Sequence, residues 1–454
     1  MRRLGQGSWV DTRTFSRKQR PLRRALFVSC FFPPIGGGGV QRIVKLLRYL
    51  PRDRWVAEVL VLSPPPADAT DPELLDELPP DLVVHRVPSP LPTSLPAQAN
   101  KQARGARPDR LYRIARTAAG LVLVPDIYLP WALAARRPVS SLLRSDRFDV
   151  VVSTSPPDSA HVATRAAVAD ARLPWVADFR DPWTRRIHFR PPTPLHRAID
   201  RHLEARVVRG CDAMVMVTEA MRTDFARRYP PHAGKMRTIT NGFDPADYPA
   251  AAAERGAASG APLRLLHTGT LTLRRNIAPL ASVLDRLRSD FPDLASVVRV
   301  DSIGGRDAIN DRILRARSLE DLVTFHPTQP HREIVRRQRE ADALLLVDAG
   351  GEGNNLTLPG KLFEYLGARR PVFALASPEA TGKVLRETGA GICFAPEDVE
   401  GATSALKRWI GAFHDGSFRW QGREEALEPY TRPRIATEFA AVLEQVTEAS
   451  LGSA

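Results

Sequence analysis

Residues 359–366, PGKLFEYL, set a lysine and a glutamate three positions apart behind a Pro-Gly pair. Pro359 suits the first turn of a helix, and Gly360 leaves the neighbouring N–H groups open. A helix start with Lys361 beside it is an arrangement for phosphate: open N–H donors, the positive end of the helix dipole and a point charge. Gly360 and Leu362 flank the lysine and are counted with it as candidate substrate contacts. Glu364 follows at a spacing of three, on the same helix face, where it either meets a substrate or is an ordinary surface glutamate. A P-loop is excluded. Asn355 stands where its first glycine belongs, and Leu362 where Ser or Thr must follow the lysine.

A second stretch, FFPPIGGGGVQR (31–42), carries four successive glycines, Gly36, Gly37, Gly38 and Gly39, after a strand-like run. Glycine permits close approach and unusual backbone angles. Exposed N–H groups at the start of the following helix make an anion site; a tight strand-to-helix turn without a ligand is the plainer alternative. The spacing and the acidic partner of a dinucleotide fingerprint are missing. WVADFRDPW (175–183) sets Asp178, Arg180 and Asp181 at the end of another strand, Asp178 and Arg180 on one side by alternation. They either grip sugar hydroxyls or pin the loop as an Asp–Arg pair. His161, in SPPDSAH, is a sugar contact or a packed histidine. No Asp-x-Asp occurs anywhere in the chain, so no carboxylate pair for a divalent ion on a diphosphate is expected; neither metal nor cofactor is expected.

These motifs sit on a repeating framework. ALFVSCF, VAEVLVLS, FDVVVSTS, WVADFRD and DAMVMVT read as five strands in residues 25–218, alternating with helical patterns at 40–50, 161–171 and 194–209. Residues 64–107 read as a long irregular, Pro-rich loop. The small-residue stretch before Leu263 is a linker. LRLLHTGT, ASVVRVDSIG, DLVTFHP, ADALLLVDA, RPVFALA and AGICFAP then form a second strand series. The expectation is α/β: two Rossmann-like, doubly wound parallel-sheet domains facing across a cleft. The boundaries read 1–24 for a basic tail, 25–244, a linker at 245–262, 263–430, and a C-terminal helix at 431–454 that packs back on the first domain.

The chain has 454 residues, too many for one ordinary core. Its net charge is +14, and residues 1–250 hold 39 Lys and Arg against 24 Asp and Glu. The first half should face something anionic. The arginines are dispersed without aromatic interleaving, so nucleic acid is not the expected partner. An anionic membrane surface or a phosphorylated substrate fits. PDRLYRIARTAAGLVLV (108–124) has the composition of a helix lying in a membrane interface; packing on its own domain is the alternative. No membrane span or signal peptide is expected, and three dispersed cysteines fit a reducing cytosol.

In order and spacing, FFPPIGGGGVQR, STSPPDSAH, WVADFRDPW, TNGFDP, HTGTL and PGKLFEYLGARRPVFAL resemble a GT-B glycosyltransferase of the family-4 type over residues 25–445. That resemblance implies sugar transfer from a nucleotide-sugar donor to an acceptor with retention of configuration. The second domain would hold the nucleotide and the first the acceptor. Glu364 matches the family glutamate that accepts from the ribose. Arg275 falls where the family has a lysine for the pyrophosphate and is assigned with Lys361 to that role, Arg274 being the reserve. The family's first glutamate is replaced by Leu356, so Glu352, Asn354 and Asn355 become the candidates for the donor sugar. A non-catalytic relative that binds a nucleotide sugar, or an epimerase or hydrolase on the same fold, is the competing reading.

Overall fold

The computed structural model describes residues 22–63, 71–91, 120, 122–145, 147–186, 191–249, 261–272, 275–348 and 354–452. Most of the expected interfacial helix, together with Arg274, Glu352 and the side chain of Asn354, lies outside the described residues.

The first sheet has seven strands: β1 (Arg23–Ser29), β2 (Trp55–Ser63), β3 (Val83–Pro88), β4 (Val150–Ser155), β5 (Trp175–Phe179), β6 (Ala213–Met216) and β7 (Met236–Thr238). The second has six: β8 (Leu263–Thr268), β9 (Val298–Ile303), β10 (Val323–His326), β11 (Ala343–Val347), β12 (Val372–Leu375) and β13 (Gly391–Phe394). All pairings within both sheets are parallel. Central strands are buried along their whole length, as VVVSTS in β4 and ALLLV in β11; helices on both faces of a parallel sheet demand such apolar runs.

Two strands went unread. β3 lies inside the stretch expected to be irregular, and a short 3₁₀ turn, Pro72–Leu75, precedes it. It is the exposed edge of the first sheet, so its sequence VVHRVP lacks a continuous apolar run. β7 has only three residues.

The strand orders are β3-β2-β1-β4-β5-β6-β7 and β10-β9-β8-β11-β12-β13. Each order reverses once, between β1 and β4 and between β8 and β11. A crevice opens beyond the carboxyl ends of the strands at such a reversal. Both reversals are occupied by motifs named above: the glycine run after β1, and Gly269 and Asp348 after β8 and β11.

The C-terminal helix (Arg432–Leu451) crosses back to the first domain. Ile435, Ala436, Phe439, Ala440 and Leu443 are buried against Phe27, Val59, Val152 and Leu47, with the Phe27 and Phe439 rings 6.4 Å apart. A fully buried side chain of this kind contributes about 1.5–3 kcal/mol, so the crossing is anchored. Where the chain crosses, Phe243 N donates to Tyr430 O at 2.9 Å and Arg432 N to Phe243 O at 2.8 Å.

Candidate active site

On the second domain, β8 ends at Thr268 and the chain turns through Gly269 at φ +116°. That angle favours glycine, and a Cβ there would lie 2.6 Å from Lys361 Nζ. The turn is therefore glycine both for its backbone and for the room it leaves the lysine. Lys361 is in the first turn of the helix Gly360–Ala368, with Pro359 as the preceding cap residue rather than the first helical one. Its ammonium donates to His267 Nε2 at 3.2 Å. His267 Nδ1 faces Leu345 O at 3.0 Å; a carbonyl only accepts, so the proton sits on Nδ1 and Nε2 is free to receive the lysine. Burial, reinforced by Lys361, holds this imidazole neutral. The deeply set ammonium of Lys361 has its pKa pushed down to about 8, first by burial and then by the nearby Arg275 cation, against the pull of Glu364 and Asp348.

Arg275 is held by Asp348, Nε to Oδ1 at 2.6 Å. The helix Gly360–Ala368 is locked on β8 by Tyr365, whose hydroxyl accepts from Thr268 N at 2.9 Å and donates to Leu345 O at 3.2 Å. Glu364 Oε2 accepts from Gln338 Nε2 at 3.2 Å, and Gln338 is itself held by Tyr248. The outcome is a lysine, an arginine and a glutamate converging on one strand-end crevice, each oriented by a buried neighbour.

A cavity of about 500 Å³ lies between the domains. Gly36, Gly37, Gly38, Gly39, Arg180 and Asp181 line it from the first domain, and Gly360 and Glu364 from the second. The helix α1 (Gly38–Tyr49) starts here without a side-chain cap, its preceding Gly37 at φ +107°. Its first N–H groups therefore face the cleft unused by a cap.

Several candidates sit elsewhere. Asp178 is 1 % exposed and is gripped by Arg42, Nη2 to Oδ1 at 2.8 Å and Nε to Oδ2 at 3.2 Å. Burial alone would raise its pKa; Arg42 reverses this and holds the carboxyl below the usual range. Arg42 also donates to the carbonyls of Ile239 and Thr240. The Asp178 pair thus fixes α1 to the segment leading into the second domain, and it does not face the cavity. His161 is fully buried against Phe179, ring centroids 4.4 Å apart, with Nδ1 2.7 Å from Ser153 Oγ. Burial pushes its pKa to about 3, so it is a neutral core histidine. The Leu362 side chain is buried in the second domain's core and its N–H donates to Pro359 O, leaving nothing for a substrate. Asn355 Oδ1 accepts from Ser377 at 2.7 Å, and Leu356 O accepts from Thr218 of the first domain at 2.6 Å.

Other residues were not among the candidates, although Arg42 closes FFPPIGGGGVQR and His267 opens HTGTL. Arg42, His267 and Gln338 orient the site from buried positions. Lys45 Nζ binds Asp244 at 2.7 Å and Asp247 at 3.2 Å, tying α1 to the start of the linker. Arg432, at the head of the C-terminal helix, lines the cavity.

Two parallel α/β sheets with their reversal points facing across a cleft form the GT-B architecture. Residues 102–247 match the profile of Glycosyltransferase Family 4. Among solved structures, the sucrose-phosphate synthase of Thermosynechococcus elongatus superposes with a TM-score of 0.66 at 16% identity, covering 94% of this chain and 100% of that one. HepE of Anabaena in complex with UDP gives 0.62 at 15% identity over 93% and 100%. TarM of S. aureus, in complex with fondaparinux, alpha-GlcNAc-glycerol and UDP, gives 0.58 at 9% over 93% and 100%. At these identities the likeness is one of fold. No curated protein matches the sequence. Residues 102–247 thus carry the sequence pattern of that family, and the chain as a whole has the GT-B fold.

Proposed function

We propose that the protein moves a sugar from a nucleotide-sugar donor, held by the second domain, to an acceptor entering from the first, with retention of configuration. The observation that carries this reading is the convergence of Lys361, Arg275 and the open start of the helix Gly360–Ala368 on the β8–β11 reversal, with Glu364 one turn away. Lys361 and Arg275 bind the diphosphate and stabilise the charge that develops on it as the sugar leaves. Glu364 accepts from the ribose hydroxyls. With no enzymic nucleophile assigned, the acceptor hydroxyl attacks from the face the diphosphate vacates and passes its proton to that phosphate. The HepE complexes with UDP, with UDP and glucose, and with UDP-glucose support a uridine nucleotide as the first to try.

The acceptor belongs to polysaccharide, glycolipid or glycosylated-metabolite synthesis, and the basic first half favours work at the inner face of an anionic membrane. Among the described residues no helix is long and apolar enough to cross a membrane, so attachment would be peripheral. Co-sedimentation with anionic but not neutral vesicles, reduced by salt, checks this.

The reading is tested by nucleotide release from UDP-, GDP- and TDP-sugars, with and without an acceptor panel and in EDTA. Release that requires an acceptor and survives EDTA is expected, since among the described residues no group of three or more His, Cys, Asp or Glu is placed to hold a metal. Release without acceptor would make the protein a hydrolase. Binding without release under any condition would make it a non-catalytic relative.

A further inference from the structure

Arg432 opens the C-terminal helix at the point where the chain returns from the second domain to the first. Its backbone N–H is used by Phe243. Its side chain is only 9 % exposed, lines the cleft, and has a buried Nη1 without a hydrogen-bond partner. Among the described residues its guanidinium makes no hydrogen bond or ion pair.

The carboxylates around it are engaged with other groups. Asp244 holds Lys45 and Tyr49. Asp247 holds Lys45 and lies 3.7 Å from His331. Glu364 takes Gln338. Arg42, another buried cation, stands near enough to oppose it, and burial first and Arg42 second push the Arg432 pKa down to about 10. A desolvated guanidinium with unused donors costs several kcal/mol unless something fills its fork. Such groups in a cavity mark a place for an anion. The same cavity receives the uncapped start of α1, whose open N–H groups also favour an anion. Lys361 and Arg275 do not line this cavity.

We propose that Arg432 binds a phosphate group of a substrate in the cleft, at a locus distinct from Lys361 and Arg275. The phosphate comes either from the donor's diphosphate or from a phosphorylated acceptor. The donor source rests on the proposed function; the locus itself does not.

The test uses the full chain, its R432Q and R432K variants, and calorimetry. The probes are inorganic phosphate, inorganic pyrophosphate, whichever of UDP, GDP and TDP binds, and the matching nucleoside. In R432Q, binding of the phosphate-bearing probe should fall about 10- to 100-fold, as expected for a charged hydrogen bond. R432K should recover part of it, and the nucleoside should bind unchanged. Loss confined to the nucleoside diphosphate and pyrophosphate assigns the donor. An unchanged nucleotide, with inorganic phosphate lost from the nucleotide-saturated protein, assigns the acceptor. The melting temperature of unliganded R432Q should stay level or rise, because an unpaired buried charge has gone. A large drop in melting temperature with all phosphate probes bound as in wild type would make Arg432 a structural strut and overturn the proposal. Arg432-dependent phosphate binding with no nucleotide bound would leave this locus standing and remove the donor reading. Nucleotide and phosphate binding identical in wild type and R432Q would do the reverse.

Discussion

The guanidinium of Arg180 occupies the space where a side chain on Gly39 would have to be. A Cβ on Gly39 would overlap Nη1 and lie 3.0 Å from Cζ. The close approach that the four-glycine run implies is therefore made, at this position, by the protein's own arginine. Arg180 is anchored by donating to Ser155 O at 2.7 Å and Pro156 O at 2.6 Å, so it cannot easily withdraw.

The first prediction follows from that overlap. Gly39→Ala should shift Arg180 and lower acceptor-dependent activity, with an overpacking cost of about 1–3 kcal/mol. In an Arg180→Ala background the same change should cost little, since the overlapped group is gone. A double-mutant cycle on melting temperature and on transfer rate measures the coupling. Additive effects would mean that the two residues do not constrain each other.

Lys361→Ala and Arg275→Ala should each weaken nucleotide-sugar binding by about 1.5–3 kcal/mol while the fold survives. Lys361 also sets a pH dependence. Its ammonium has a pKa of about 8 in the free protein, so it is charged below pH 8 and loses its charge as pH rises through that value. Nucleotide affinity should be flat up to about pH 7.5 and then decline, because binding an anion must restore the proton. Lys361→Arg, charged throughout, should flatten the profile. Calorimetry across pH 6.5–9.5 decides it.

Glu364→Gln should weaken the nucleoside diphosphate and the complete nucleotide sugar alike, because on the proposed reading the carboxylate would serve the ribose in both. Titration of the two ligands against the variant checks it. Loss confined to the complete donor would move Glu364 to the sugar.

The framework was legible where the physics is local. The inner strands β11 and β12 of the second domain carry the short apolar runs ALLLV and VFAL, and burial on both faces requires such runs. β3 was hidden because an edge strand is half exposed, and β7 because three residues hold no period. PGKLFEYL was legible because lysine, glutamate and helix start lie within one turn. Gln338 and Arg432 were not, since each reaches the site from another element or the far end of the chain and a single residue carries no spacing; His267 stood within HTGTL, but its contact with Lys361 joins two elements far apart in sequence. The open choices for His161 and Asp178 were settled by burial and partners, which depend on Phe179 and Arg42 from other elements.

The last prediction concerns Asp178 and Arg42, whose side chains are each 1 % exposed. A paired buried charge is costly to break because removing one partner leaves the other uncompensated, typically about 3–5 kcal/mol. Asp178→Asn should therefore lower the melting temperature sharply, since Arg42 loses its counter-charge and Thr154 Oγ1 its carboxylate acceptor, 2.8 Å away. The sign of the pH effect follows from the depressed pKa of Asp178 in the folded state. Its contribution is fully present above the unfolded carboxylate value of about 3.9 and is lost as pH falls below that, toward the folded value. Acid unfolding of the wild type should carry this step, and Asp178→Asn should lose it while being less stable at neutral pH. The double variant Arg42→Met with Asp178→Leu should recover much of the loss, because two matched apolar groups leave no stranded charge. Full wild-type stability in Asp178→Asn, with only transfer activity reduced, would instead put the carboxylate on a substrate.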